Sequence, residues 1–171
     1  MSNFRVDKID RAILGVLQRD ARVPMEELGR RVGLSPSATH RRVQRLRDHG
    51  VIRAEVAIVN PKALGQPAVM IVELTIDRDN PAELVDLRSW IRNEPMVQQA
   101  WYVTGQADFV LVVTAQDMED YDRFIQRLLS ENHNVNRFTT AVALNTTKRG
   151  LTLPTDLVVR DGGAEETFTC A

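Results

Sequence analysis

The sequence predicts an α+β chain in two parts, a helix-turn-helix module of winged-helix-like type followed by a ferredoxin-like βαββαβ domain. Three observations predict this. Residues 28–53 carry Arg30, Arg31, Arg41, Arg42, Arg45, Arg47 and Arg53 against a single acid, Asp48, in a chain whose formal net charge is −1. Such a local reversal of charge suits a polyanion rather than a fold. Within that stretch, Ser35-Pro36 combines an N-cap hydroxyl with proline at the first helical position, two residues after Gly33 interrupts the preceding helical pattern. The second half of the chain then alternates strand-like and helix-like segments in the order β, α, β, β, α, β.

The helix opened by Ser35 places Thr39, Val43 and Leu46 at i, i+4 and i+7, one inward face. Met25, Leu28 and Val32 form a similar stripe on a short helix beginning near Pro24. Two short helices joined at Val32-Gly33-Leu34-Ser35 match a helix-turn-helix, whose second helix enters the major groove by its N-terminal end. Ser37, Ala38 and His40 are then the expected base-edge readers, with Ser35 at the mouth of the helix grouped beside them. Arg41 reaches either a guanine edge or a phosphate, and Arg31, Arg42 and Arg45 are assigned to the DNA backbone. A solvated basic helical hairpin is the competing reading of an arginine run alone; the turn chemistry favours DNA. Upstream, a helix over Asp7 to Arg19 presents Ile9, Ile13, Val16 and Leu17 inward, with Asp7 and Asp10 near its positive end. Downstream, Gly50 stops the recognition helix and Val51-Ile52 fold back on it. Glu55 to Val59 is expected to form a short strand or wing, and Asn60-Pro61 and Gly65-Gln66-Pro67 punctuate the chain. The resulting division is 1–54 for the DNA-binding module, 55–66 for a strand and hinge, 67–148 for the second domain, and 149–171 for a tail.

In the second domain, Ala68 to Ile76 reads as a strand, and Asn80-Pro81-Ala82-Glu83 starts a helix with Leu84, Leu87 and Ile91 inward. Val97 to Thr104 and Ala107 to Ala115 are strands joined tightly at Gly105-Gln106. Asp117 opens a helix with Tyr121, Phe124, Ile125 and Leu128 on one side, and Arg137 to Thr147 is the last strand. Val69-Met70-Ile71-Val72 and Phe109-Val110-Leu111-Val112-Val113 are apolar without alternation, so both faces of the sheet need cover. Two helices cover one. The first module or a second copy of the chain covers the other, and the second copy is preferred because a two-fold DNA reader is itself a dimer.

Composition bounds the remaining possibilities. At 171 residues and 43% hydrophobic, the chain has enough apolar residues for globular cores. No apolar run approaches the roughly 20 residues of a membrane span. The single cysteine, Cys170, lies in the C-terminal tail and excludes an internal disulfide framework, which favours a cytoplasmic location. No phosphate loop, nucleophile elbow or acid–base pair marks an enzyme, and no cofactor is expected. His133 stands apart from His40 and His49, so no metal site is expected either.

Taken together, the run VDKIDRAILGVLQRDARVPMEELGRRVGLSPSATHRRVQRLRDHGVI, the hinge EVAIVNPKALG, the hairpin GQADFVLVV and the closing TTAVALNTTKRGLTLP closely resemble the Lrp/AsnC, or feast/famine, transcriptional regulators. The resemblance covers about Val6 to Pro154. It implies a DNA-binding N-terminal domain and a C-terminal ferredoxin-like effector domain, often called the RAM domain. That domain dimerises through its sheets and assembles further into tetramers or octamers. It also implies a small-molecule effector, an amino acid or related metabolite, held at an interface around the loop between the second and third strands. Here that loop is Thr104-Gly105-Gln106-Ala107-Asp108, with Thr139 and Thr140 bordering it. Gly105 and Asp108 match the family's Gly-x-x-Asp pattern, the glycine admitting ligand to backbone amides and the carboxylate meeting an ammonium group. Gln106 and Ala107 depart from the acidic and aromatic residues common in leucine-responsive members, which leaves the ligand open. The alternatives are an architectural protein that bends DNA without an effector and a metabolite-sensing regulator of an enzyme, the latter disfavoured by the arginine-rich helix.

Overall fold

The computed structural model describes residues 4–77 and 80–155. They divide into two compact units, residues 4–57 with 150–155, and residues 58–149.

In the first unit, α1 (Lys8–Leu17) starts with a reciprocal cap. The Asp7 carboxylate accepts the Asp10 N–H at 2.8 Å, and the Asp10 carboxylate accepts the Asp7 N–H at 3.2 Å. These bonds satisfy amides that the first turn otherwise leaves without partners. Next, α2 (Met25–Val32) ends at Gly33, whose φ of +73° is the left-handed conformation that glycine adopts without strain. The third helix, α3 (Pro36–Asp48), begins at Ser35, whose hydroxyl accepts the Ala38 N–H at 3.3 Å. Thr39, Val43 and Leu46 are all buried, as their spacing predicts. Leu46, fully buried, contributes on the order of 1.5–3 kcal/mol. Ile13, Val23, Leu28, Val43 and Leu46 form the core, and Ile52 packs on it after Gly50 turns the chain back. The Val51 and Ile52 N–H groups both donate to the Leu46 carbonyl.

Two expectations for this part need correction. Residues 55–59 form no strand, and Val56, Ile58 and Val59 are 76, 86 and 53% exposed. Alternating apolar residues become a strand only when another strand accepts their backbone hydrogen bonds, and none of the described residues does so. The proposed tail also begins as part of the first unit. Gln18 clamps the Leu153 backbone from both sides, its Nε2 donating to the carbonyl at 3.1 Å and its Oε1 accepting the N–H at 2.7 Å. Cys170 and the Gly-Gly-Ala-Glu-Glu segment lie outside the described residues.

The second unit has the order β1 (Ala68–Ile76), α4 (Pro81–Asn93), β2 (Val97–Tyr102), β3 (Phe109–Ala115), α5 (Met118–Glu131) and β4 (Val135–Val142). The helices start as their caps predict, with Asn80 accepting the Ala82 N–H and Asp117 accepting the Asp120 N–H. The strands form one antiparallel sheet in the order β2-β3-β1-β4. Met70, Val72, Leu74, Leu111 and Val113 are fully buried against Leu87, Phe124 and Leu128 of the helices. The other face carries Ile71, Glu73, Trp101, Val110, Val112 and Thr139, with Ile71 opposite Val112 and Trp101 opposite Val110. On that face Ile71 is 43% and Trp101 48% exposed, so an apolar face stands uncovered within this unit. β4 ends at Val142 rather than Thr147, and Leu144 is almost fully exposed. Among the described residues, no helix is long and apolar enough to cross a membrane.

Candidate functional site

The basic surface of the first unit is smaller than its arginine count. Arg30 and Arg31 both pair with Glu27 one turn earlier on α2. Arg47 bonds Glu55 at 2.6 Å. Arg42 donates to Asp7 at 2.6 Å and to Asp10 at 2.8 Å, and Arg45 donates to the other oxygen of Asp10 at 2.8 Å. Among the described residues, Arg41 and Arg53 are the two of the seven without an ion-pair partner.

The structure therefore treats the expected DNA-facing residues differently. Ser37, His40 and Arg41 are exposed on the first two turns of α3, where a recognition helix meets base edges, with Ala38 half-buried beside them. The Ser35 hydroxyl serves as the cap and lies 3.2 Å from the Ser37 hydroxyl. Arg31, Arg42 and Arg45, assigned from sequence to the DNA backbone, are turned to carboxylates of their own unit. The residue that sequence reading missed is Asp10, which is fully buried. Its signal was available: a second acid one turn after an N-cap acid, on the side that also presents Ile13, is placed to face inward. A buried carboxylate requires a partner, and α3 supplies two. The Asp7 carboxyl is pushed up by burial but held, on balance, below its ordinary value by the Asp10 N–H and the Arg42 guanidinium. Arg42 is raised by its bonds to Asp7 and Asp10.

In the second unit the hairpin between β2 and β3 closes where the Val103 N–H donates to the Asp108 carbonyl at 2.8 Å. Thr104, Gly105 and Gln106 are exposed at its tip, and Ala107 is half-buried. Gly105 has φ of +129°, a conformation that side chains rarely adopt, and a Cβ there would meet nothing within 4 Å. The tip is thus open at a glycine that can bring backbone close to a ligand.

Asp108 does not stand open beside it. It is 3% exposed, and its Oδ2 accepts the Ile76 N–H at 2.9 Å. Ile76 lies where the β1–β4 register shifts, so its amide lacks the regular ladder partner and the carboxylate replaces it. Beside the expected meeting with a ligand ammonium, the carboxylate has a structural role in holding the hairpin to β1. Asp108→Ala is expected to destabilise this unit by about 1–3 kcal/mol, because a buried amide loses its acceptor. Urea denaturation showing wild-type stability would remove that structural role.

Thr139 and Thr140 face opposite ways, as neighbouring strand residues do. Thr139 lies opposite Glu73 on the uncovered face. Thr140 faces the helices, its hydroxyl 2.5 Å from that of Tyr121, whose phenol is raised by burial with the Thr140 bond pulling it down.

A capped helix-turn-helix followed by a four-stranded sheet with two helices on one face defines a DNA-binding regulator with a separate ligand-binding domain. The chain belongs to the Lrp/AsnC family of transcriptional regulators. Residues 6–47 match the AsnC-type helix-turn-helix domain and residues 69–153 the Lrp/AsnC ligand binding domain. An uncharacterised HTH-type transcriptional regulator of Sinorhizobium fredii, y4tD, is 45% identical over 90% of this chain and 91% of its own. Among solved structures, a Neisseria meningitidis transcriptional regulator in complex with L-methionine aligns with a TM-score of 0.83 at 30% identity, covering 89% of this chain and 98% of that one. The feast or famine regulatory protein of Mycobacterium tuberculosis complexed with L-methionine aligns at 0.77, also with 30% identity, over 85% and 96% of the two chains.

Proposed function

We propose that this protein regulates transcription from a homodimer or larger assembly whose stability or DNA affinity responds to an amino acid, with L-methionine the first to test. The observation that carries the reading is the open glycine tip of the β2–β3 hairpin. Gly105 presents backbone to solvent with no side chain in the way, and Thr104 and Gln106 flank it with hydrogen-bonding groups. The L-methionine complexes of two family structures support an amino acid as the ligand class. Thr139, on the uncovered face, is the second element of the proposed site, and Asp108 supports the hairpin from beneath.

A thermal-shift series with L-methionine, the other common amino acids and their oxo acids tests the response. A ligand of the folded state raises the melting temperature by mass action, and Gly105→Val is expected to abolish the rise. No rise with any compound would favour an architectural protein that acts without an effector.

The uncovered sheet face supports self-association. Ile71, Trp101, Val110 and Val112 present adjoining apolar surface that a second copy of the same face would bury. Ile71→Asp is expected to shift the protein to monomers in sedimentation equilibrium and weaken binding to a two-half-site duplex at least tenfold. An unchanged molecular mass would place the association surface elsewhere.

A further inference from the structure

The sharpest unassigned feature is the acid pair at the start of α1 that holds two arginines of the recognition helix. Asp10 is fully buried, and each of its oxygens accepts a different guanidinium at 2.8 Å, Arg42 on one and Arg45 on the other. Asp7 takes a second bond from Arg42 at 2.6 Å. The pairing is charge-balanced, two acids against two bases. Phe4 completes it. Its ring lies 5.0 Å from the Arg45 guanidinium carbon and stacks on His49 at 4.1 Å, so Arg45 is held between an aromatic face and a carboxylate. His49 in turn contacts the Arg45 carbonyl through Nδ1 at 2.9 Å. Arg42 retains 24% side-chain exposure, whereas the adjacent Arg41 is exposed and has no partner among the described residues.

We propose that Asp10 is a positioning residue for DNA recognition: through Arg42 and Arg45 it fixes the rotation of α3 on α1 and withholds those two arginines from phosphate. A guanidinium that left Asp10 for a phosphate would strand a buried carboxylate, and that cost opposes the exchange. Two consequences follow for binding. Non-specific affinity, which comes from phosphate neutralisation, is lower than the arginine count implies. The exposed residues Ser37 and His40 keep one presentation toward base edges while Arg41, unpaired among the described residues, stays free for phosphate, which favours specificity over charge.

The proposal rests on the DNA-binding reading. Its test uses the full chain and two duplexes, one of mixed sequence and one selected by the wild-type protein from a random pool. Fluorescence anisotropy gives the dependence of affinity on salt for each. Arg41→Ala is expected to reduce the log–log salt slope by about 0.9, the value for one lost phosphate contact. Arg42→Ala is expected to leave the slope unchanged while reducing preference for the selected duplex. Asp10→Asn, with folding verified by circular dichroism, is expected to steepen the slope by about 0.9 for each arginine released and to lower that preference. A merely structural role would change thermal stability without moving slope or preference. If Arg42→Ala lowers the slope as Arg41→Ala does, Arg42 contacts phosphate and the proposal fails. It fails equally if folded Asp10→Asn keeps the wild-type slope and preference. Should Asp10→Asn not fold, the Arg42 comparison decides alone. A wild-type protein that binds neither duplex would overturn the DNA-binding reading itself.

Discussion

Asp10→Ala is expected to lower the unfolding free energy of the helix-turn-helix unit by about 3 kcal/mol, measured by urea denaturation. The substitution removes a fully buried carboxylate that accepts from two guanidiniums and from the Asp7 N–H. The expected loss sits at the lower end of the range for breaking a buried ion pair. Arg42 keeps Asp7 as a partner, and Arg45, with 42% of its side chain exposed, can turn to water. A loss below about 1 kcal/mol would instead match an exposed pair and remove Asp10 from the core of the unit.

The same cluster gives the protein an acid dependence. Burial raises the Asp7 carboxyl, but the Asp10 N–H and Arg42 outweigh it, so its folded pKa lies below the ordinary value. A depressed carboxyl stabilises the fold fully above its unfolded pKa, about 4, and loses that contribution as pH falls through the folded value. Stability should therefore decline below about pH 4, and Asp7→Asn should flatten that decline.

Gly29→Val is expected to be at least as damaging to the same unit, costing about 3 kcal/mol. Gly29 is buried on α2, and a Cβ there would lie 2.6 Å from the Leu34 carbonyl oxygen and 2.8 Å from the Thr39 hydroxyl. The Leu34 carbonyl belongs to the turn between the two helices and has no flexible side chain with which to retreat. The turn is also tied back to this glycine, because the Leu34 N–H donates to the Gly29 carbonyl at 2.9 Å. Gly29→Ala distinguishes packing from propensity by its sign. Helix propensity alone predicts stabilisation by about 1 kcal/mol, whereas the close approach predicts destabilisation by about 1–3 kcal/mol. A more stable alanine variant would show that α2 and the turn can separate at little cost.

Much of the architecture is written in neighbouring residues. Ser35 followed by Pro36 sets the start of the recognition helix, and Thr39, Val43 and Leu46 give its buried face, because capping and helical periodicity act over one or two turns. The same local rules place Asn80 and Asp117 at the starts of α4 and α5. Runs of branched apolar residues correctly place β1 and β3 in the second unit, but weak alternation overreaches at residues 55–59, where no neighbouring strand among the described residues completes the ladder. The glycine tip at Gly105 was legible for a similar reason, since its freedom belongs to one residue.

The sequence by itself determined the two-part α+β plan, the position of the recognition helix and the family. Only the tertiary structure decided which charges are available. Arg42 and Arg45 carry the same formal charge as Arg41, and nothing local separates them. They are bound by Asp10, 32 and 35 residues earlier, because its buried carboxylate needs their hydrogen bonds. Asp108 lies beside a promising glycine in sequence, yet its carboxylate serves the Ile76 amide 32 residues away. Thr139 and Thr140 adjoin in the chain and face opposite sides of the sheet. Periodicity assigns a side chain to a face; the partner it meets there depends on which distant group folding brings within hydrogen-bond reach, and burial makes that pairing obligatory.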